Sequence, residues 1–265
     1  MSTVETKAPS PARSAKEQFD KQASHYDKQW NTWSEESLAW IVDHAGINPG
    51  ASVLDVATGT GFTALAFSER AAEVVGSDVS SGMLEQARKR AAEQGFTNTT
   101  FVEAAAEALP FPDSSFDIVT CRIAAHHFLD VKKFVAETAR VLKPGGRFVL
   151  ADTSVPDNDP EASAWQNEVE TVRDPSHVRN YTPGEWRAMV EDAGLTVVES
   201  GDTGGGITIP AADWVRKAGC TPEQTEKVYA LFRGASEHTK QVFQVGEQNG
   251  DVTFTWKRVV LAAVK

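Results

Sequence analysis

The sequence predicts an α/β protein in which a mostly parallel sheet carries helices on both faces. Three observations lead there. From Ala51 to Asp152, short and nearly continuous apolar runs alternate with amphipathic segments. Strands that are apolar throughout are buried on both faces, as parallel sheets are. The last strand-like segment, "DVTFTWKRVVLAAVK", lies far from that alternation and is expected as one long strand, paired antiparallel with "LTVVES".

Each element can be justified in order. Residues 1–14, rich in Ser, Thr, Pro and charge, are expected to be a disordered tail. "SAKEQFDKQASHYDKQW" reads as a helix with Phe19 and Tyr26 on one face. "SEESLAWIVDHAG" is a second helix, with Ser34 as N-cap, Ser37 allowing a weak capping box, and Gly46 just past its end. "SVLDV", "EVVGSD", "TTFVEA", "FDIVTC" and "RFVLAD" are strands. Between them, "FTALAFSERA", "SSGMLEQARKRAAEQG" and "LDVKKFVAETARVL" are helices, the last stopped by "KPGG". From Ser154 the rhythm breaks into a long polar connection, "VPDNDPEASAWQNEVETVRDPSHVRNY". "TPGEWRAMVEDAG" is a helix with Pro183 in its first turn, followed by the strand "LTVVES". "AADWVRKAG" and "PEQTEKVYALFRGAS" are two further helices, expected to extend over the sheet edge.

A chain of 265 residues, 41% hydrophobic, can bury one good-sized core. Its formal net charge is −11 and it has no Lys/Arg-rich run, which disfavours nucleic acid or an acidic membrane as partner. Cys121 and Cys220 make neither a disulfide framework nor a metal-ligand spacing. The first residues lack the apolar core of a signal peptide, and no apolar run approaches the ~20 residues that span a bilayer. The expectation is a cytoplasmic protein that binds a small molecule and no metal. Its oligomeric state is open, a homodimer included.

"LDVATGTGFTALAF" is a strand end, a glycine-rich turn and a helix start. Gly59, Thr60, Gly61 and Ala64 satisfy G-x-G-x-x-G/A, a tight turn that brings backbone close to a ligand. Asp78, ending the next strand, can accept both hydroxyls of a ribose, or serve the following helix. Asp55 separates two cofactor classes. Ahead of the turn its carboxylate would repel a pyrophosphate but help hold an ammonium, directly or through water.

"VLDVATGTG", "GSDVSSGMLEQAR", "AAEALPFPDSSFDIV" and "ARVLKPGGRFVLAD" together resemble the class I S-adenosylmethionine-dependent methyltransferases. The nearest branch acts on small molecules and includes the ubiquinone/menaquinone biosynthesis methyltransferases. The resemblance covers roughly residues 19–152. It implies a Rossmann-like seven-stranded, mostly parallel sheet with an antiparallel last strand, helices on both faces and helical lid segments. It also implies S-adenosyl-L-methionine as cofactor and S-adenosyl-L-homocysteine as product. One methyltransferase domain would run over 15–265, with N-terminal helices and lid at 15–46, a cofactor-binding core at 51–152, and substrate-cover insertions at 153–182 and 205–250.

Carried over residue by residue, Asp55, Ala57, Thr58, Gly59, Thr60 and Gly61 look like the methionine-side loop. Asp78 looks like the ribose acceptor, Val79 and Met83 like adenine walls, and Ala106 and Glu107 like the adenine-edge motif. Arg122 occupies a position whose backbone usually lines the cofactor. The usual first glycine of the loop is Ala57 here, and the aspartate of a "DAE" motif is Ala105.

Methyl transfer needs alignment first, and a base only if the acceptor loses a proton. His127 follows the fourth strand and is the expected base or hydrogen-bond donor, against the plainer reading of a polar helix-start residue. Its neighbour His126, whose side chain is expected to diverge from that of His127, is a further candidate substrate contact. Asp152 ends the fifth strand at the same rim, as a catalytic group or a loop cap. Tyr26 resembles a residue of the family's N-terminal lid and would close over the sulfonium, or is a core tyrosine. His177, Arg179 and Tyr181 are candidate acceptor contacts in the long connection, or ordinary loop polarity. Trp30, Trp33, Trp40, Trp165, Trp186 and Trp214 line an acceptor pocket or belong to cores. The functional expectation is C- or O-methylation of an aromatic, polyketide-like or quinone-like small molecule. The alternatives are a non-catalytic adenosyl-binding protein, another reaction on the same fold, or an NAD-dependent oxidoreductase.

Overall fold

Strand β1 (Ser52–Val56) sits in the interior of a seven-stranded sheet because both of its faces are apolar. Leu54 and Val56 face one layer and Val53 faces the other. The computed structural model describes residues 11–22, 34–201 and 206–265. Its further strands are β2 (Glu73–Asp78), β3 (Thr99–Glu103), β4 (Phe116–Arg122), β5 (Leu142–Thr153), β6 (Thr196–Gly201), β7 (Ile207–Pro210), β8 (Gly246–Gln248), β9 (Asp251–Trp256) and β10 (Arg258–Val264). The helices are α1 (Pro11–Gln22), α2 (Ser34–His44), α3 (Phe62–Ser68), α4 (Ser81–Glu93), α5 (Val131–Val141), α6 (Pro160–Arg173), α7 (Pro183–Asp192), α8 (Ala211–Lys217), α9 (Pro222–Gly234) and α10 (Glu237–Val242).

The large sheet has the order β3-β2-β1-β4-β5-β10-β6. β1 to β5 pair in parallel, and β10 inserts antiparallel between β5 and β6. Alternation along each strand builds two cores. Phe148 and Leu150 pack with Phe134 and Val135 of α5 and Trp186 of α7. Val149 and Ala151 pack with Ile41 of α2, Phe67 of α3 and Leu84 of α4. This is the Rossmann-like, mostly parallel α/β sheet expected from the sequence.

Several local expectations meet their physical reasons. α7 starts in a capping box, Thr182 with Glu185, and has Pro183 in its first turn. Gly46 and Gly95 follow helix ends at φ +61° and +76°, where a side chain would be strained.

Other expectations need correction. The disordered tail was placed too long, because Pro11 already starts α1. The polar connection after Ser154 contains a fourteen-residue helix, α6, capped by Asp159 with Pro160 in its first turn. The many polar residues hid its apolar stripe of Ala162, Trp165 and Val169, which is buried. "DVTFTWKRVVLAAVK" is two strands. β9 joins a separate three-stranded sheet, β7-β9-β8, and after Lys257 β10 enters the large one. Ala162, Trp165 and Val169 share a third apolar core with Trp214 of α8, Phe232 of α9, and Phe254 and Trp256 of β9.

Candidate active site

The glycine-rich turn is shaped by three residues in the left-handed region: Ala57 at φ +54°, Gly59 at +55° and Gly61 at +89°. Only glycine adopts this region without strain, so Ala57 carries a backbone cost. Gly61 is also needed for space, since a Cβ there would stand 3.0 Å from that of Ala87 in α4. The loop is tied to the neighbouring strand: Thr58 N–H donates to Ser77 O at 2.9 Å, and Gly59 N–H to Asp78 Oδ2 at 2.9 Å.

A cavity of about 150 Å³ opens above this loop at the carboxyl ends of β1, β2 and β4. Ala57, Thr58, Gly59 and Thr60 line one side. Asp78, Val79, Met83, Ala106, Glu107 and Arg122 line it too. Its outer part is mostly apolar, formed by Phe19, Ile123, Ala124, Phe128 and Leu129, with His127 among them. Ile123 stands at φ +53°, an outlier for a β-branched residue, and is held there by its N–H bond to Ala151 O at 2.7 Å.

Helix α1 closes one side. Ala15 and Phe19 line the cavity, and the Phe19 ring meets His127 edge-on at 5.0 Å between centroids. The helix is latched by Lys16 Nζ on Val79 O at 2.6 Å, and by Asp20, which accepts from Ser80 Oγ at 2.5 Å and Gly82 N–H at 3.2 Å. Tyr26, Trp30 and Trp33 lie outside the described residues.

The two aspartates of the loop region differ in placement. Asp78 lines the cavity and accepts backbone N–H groups of Gly59 and Ser80. A carboxylate offers about four acceptor directions, so it retains capacity for a diol. Burial holds its carboxyl above the ordinary value, against these N–H donors. Asp55 does not line the cavity. It is buried and accepts from Thr58 Oγ1 at 2.6 Å and Thr120 Oγ1 at 2.8 Å. Burial pushes its pKa up to about 6 despite both hydroxyls. Asp55 meets the cavity-lining loop through Thr58, whose hydroxyl it holds. Gly61 likewise packs behind the loop.

The remaining lining residues have partners of their own. Glu107 Oε1 accepts from Leu129 N–H at 3.0 Å, tying Glu107 to the outer wall. Arg122 Nε donates to Thr63 Oγ1 at 2.8 Å.

The histidine pair is more compact than expected. His126 and His127, read as diverging, have ring centroids 4.1 Å apart, because both sit on one 3-10 turn, Ala125–His127. His126 is buried and its Nδ1 meets Asp152 Oδ1 at 2.6 Å, while its backbone N–H donates to Asp152 Oδ2 at 3.0 Å. Burial disfavours its charge, but the Asp152 carboxylate overcomes that and holds the His126 pKa above the usual value. Asp152 does not reach the cavity; it orients His126. For His127, burial and the neighbouring His126 together lower the pKa to about 4, so the ring is neutral near pH 7.

The candidate acceptor contacts in the connection do not line the cavity. His177 turns its Nε2 to Asn167 Oδ1 at 3.1 Å, and burial lowers its pKa to about 2. Arg179 pairs with Glu185 and lies over the Tyr181 ring. Tyr181 packs on Trp186, at 5.7 Å between centroids. No described residue of 153–182 or 205–250 lines this cavity. The tryptophans of these segments belong to a core: Trp165 and Trp214 are buried. Two residues that the sequence reading passed over do approach the site. Ser176 Oγ lies 3.1 Å from His127 Nδ1 and donates to Asp174 Oδ1 at 2.6 Å. The Asp-x-Ser spacing of an Asx turn was the signal for them. Among the described residues no cluster of three or more His, Cys, Asp and Glu side chains has metal-ligating geometry, and no helix is long and apolar enough to cross a membrane.

A methyltransferase-domain family profile matches residues 54–150, the span from β1 through most of β5. The chain is 36% identical to the uncharacterised methyltransferase YcgJ of Bacillus subtilis over 93% of its own length and 97% of that protein. The YcgJ crystal structure superposes with a TM-score of 0.81, covering 87% of this chain and 98% of that one. The ubiquinone/menaquinone biosynthesis C-methyltransferase UbiE of Hahella chejuensis is 39% identical over 56% of this chain and 62% of its own. The chain belongs to the S-adenosylmethionine-dependent methyltransferase family, with a class I, UbiE-like core.

Proposed function

We propose that this enzyme methylates an apolar small molecule, with S-adenosyl-L-methionine seated on the loop and Asp78 and the acceptor seated against His127. The single observation that carries the reading is one continuous cavity running from Gly59 and Asp78 to His127. The residues fit the cofactor. Asp78 keeps acceptor capacity for a ribose, Val79 and Met83 offer apolar walls for a flat base, and a Cβ on Gly59 would meet nothing within 4 Å, so backbone there is open to close approach. When bound, the cofactor supplies a methyl group activated by its sulfonium.

The chain's own residues then have three tasks. Phe19, Ile123, Ala124, Phe128 and Leu129 exclude water and hold an apolar acceptor. The α1 latches keep that wall in place. His127, neutral near pH 7, accepts the proton of a hydroxyl or an acidic carbon as that atom becomes the nucleophile. The acceptor reading is an aromatic or quinone-like ring methylated at carbon or oxygen. It is supported by the apolar outer wall and by similarity to UbiE, a ubiquinone/menaquinone biosynthesis C-methyltransferase.

A mass-spectrometric screen of phenolic and quinol acceptors with S-adenosylmethionine tests this, the expected product being heavier by one methylene. Transfer only to charged, water-soluble amines overturns the acceptor class. Calorimetry showing no S-adenosylmethionine binding overturns the seating.

A further inference from the structure

We infer that Ser176 and Asp174 are positioning residues for His127: they hold the proton on its Nδ1 and leave the Nε2 lone pair facing the cavity. The inference deepens the proposed function and rests on His127 as the group that takes the acceptor's proton.

Proton counting gives the tautomer. The Ser176 hydroxyl has one hydrogen, and it stands 2.6 Å from Asp174 Oδ1. An ionised carboxylate can only accept, so that hydrogen belongs to the Ser176–Asp174 bond. Ser176 Oγ then has only lone pairs to offer His127 Nδ1 at 3.1 Å, and Nδ1 must be the donor. In a neutral imidazole one nitrogen donates and the other accepts, so Nε2 carries the lone pair. His127 lines the cavity, and besides the Ser176 hydroxyl its ring feels the Ser176 backbone, which favours a protonated nitrogen on that side. Free imidazole favours the opposite tautomer, so the arrangement requires a specific partner.

The scaffold around this pair is rigid. Asp174 Oδ1 also accepts the Ser176 backbone N–H at 2.9 Å. Val178 and Arg179 N–H groups both bond His126 O, at 2.9 and 3.1 Å, stitching the segment to the histidine turn. The two adjacent histidines thereby receive different partners. His126 has a carboxylate directly on its ring, and His127 has one only through a hydroxyl. Charge therefore settles on His126, and its cation disfavours a second one beside it. The other groups acting on His127 are Asp152 from β5, and Asp174, the Ser176 backbone and His177 from the segment after α6; α1 contributes the Phe19 ring.

Nitrogen-15 labelling of the protein's six histidines tests this without any acceptor. Long-range proton–nitrogen spectra separate protonated from bare ring nitrogens, and His127→Gln assigns the His127 signals. The expected result for the full chain near neutral pH is a protonated Nδ1 and a bare Nε2. Ser176→Ala removes the acceptor and should return the ring to the Nε2–H form. Asp174→Ala frees the hydroxyl to donate, and should do the same. Asp174→Asn keeps an oxygen at the Oδ1 position, where the Ser176 N–H holds it, and should retain the wild-type tautomer. A bare Nδ1 in the wild type overturns the inference, and so does an unchanged tautomer in a folded Ser176→Ala protein. Failure here is distinct from failure of the catalytic reading. That reading falls if His127→Ala transfers methyl at the wild-type rate while the tautomer is as stated.

Discussion

The Asp55 carboxylate accepts the Thr58 hydroxyl at 2.6 Å, so the acid nearest the glycine-rich turn braces it from behind. It is bridged on its other side to Thr120 of β4, which couples the loop to the neighbouring strand. A charge in that position costs stability unless something compensates it.

The first prediction concerns that cost. The folded pKa of Asp55 is about 6 against an ordinary 3.8. Its neutral form is favoured in the fold, so the contribution is present below pH 3.8 and lost as pH rises through about 6. The charged form is disfavoured by on the order of 3 kcal/mol. Asp55→Asn, which keeps a carbonyl acceptor, should gain on the wild type as pH rises through that window. Urea unfolding of both proteins on either side of pH 6 checks it, and a pH-independent difference rejects it.

Asp78 should behave differently, because it faces the cavity. Asp78→Ala removes the diol acceptor and leaves the Gly59 and Ser80 N–H groups without their partner. S-adenosylmethionine affinity should fall by about 1–3 kcal/mol in calorimetry. Asp55→Asn should change affinity less. The reverse order would return the direct cofactor contact to Asp55.

Asp152 is predicted to set the charge on His126. A raised histidine pKa stabilises the fold below the unfolded value of 6.5, and that contribution is lost as pH rises through the folded pKa. Asp152→Asn should therefore cost most below pH 6.5, by roughly 1–3 kcal/mol, and less above it. With His126 no longer cationic, the pKa of His127 should rise from about 4, while burial keeps it below the ordinary 6.5. Histidine titration by magnetic resonance reads both changes, and an unmoved His127 would break the proposed coupling.

The backbone cost at Ala57 gives a stabilising substitution. Alanine in the left-handed region costs about 1–2 kcal/mol, part of which glycine returns as unfolded-chain entropy. Ala57→Gly should raise Tm by roughly 2 °C with the loop unchanged. Calorimetric melting checks it; a lowered Tm would mean that the φ of +54° is not strained.

The alternation of apolar strands and amphipathic helices from Ala51 to Asp152, with the ordered loop, Asp78 and the "KPGG" stop, was sufficient to write the sheet and the family. Those features are local, and each apolar run can only be buried on both faces. What lay beyond reach was non-local. The split at Lys257 between two sheets depends on which partners β9 and β10 find, and the apolar run reads the same either way. The stripe of α6 was obscured because Glu170 and Arg173 are buried through partners on distant elements, Trp256 and Trp214, while Gln166 bonds Glu170 within the helix. The direction of Asp55 and the inward turn of the aromatics at Trp165, Trp186 and Trp214 were likewise decided by packing. At the site, the sequence supplied His126 and His127 as adjacent letters. Only the tertiary structure gave one an aspartate and the other a serine, because Asp152 and Ser176 arrive from separate elements, and a proton goes where the partners require it.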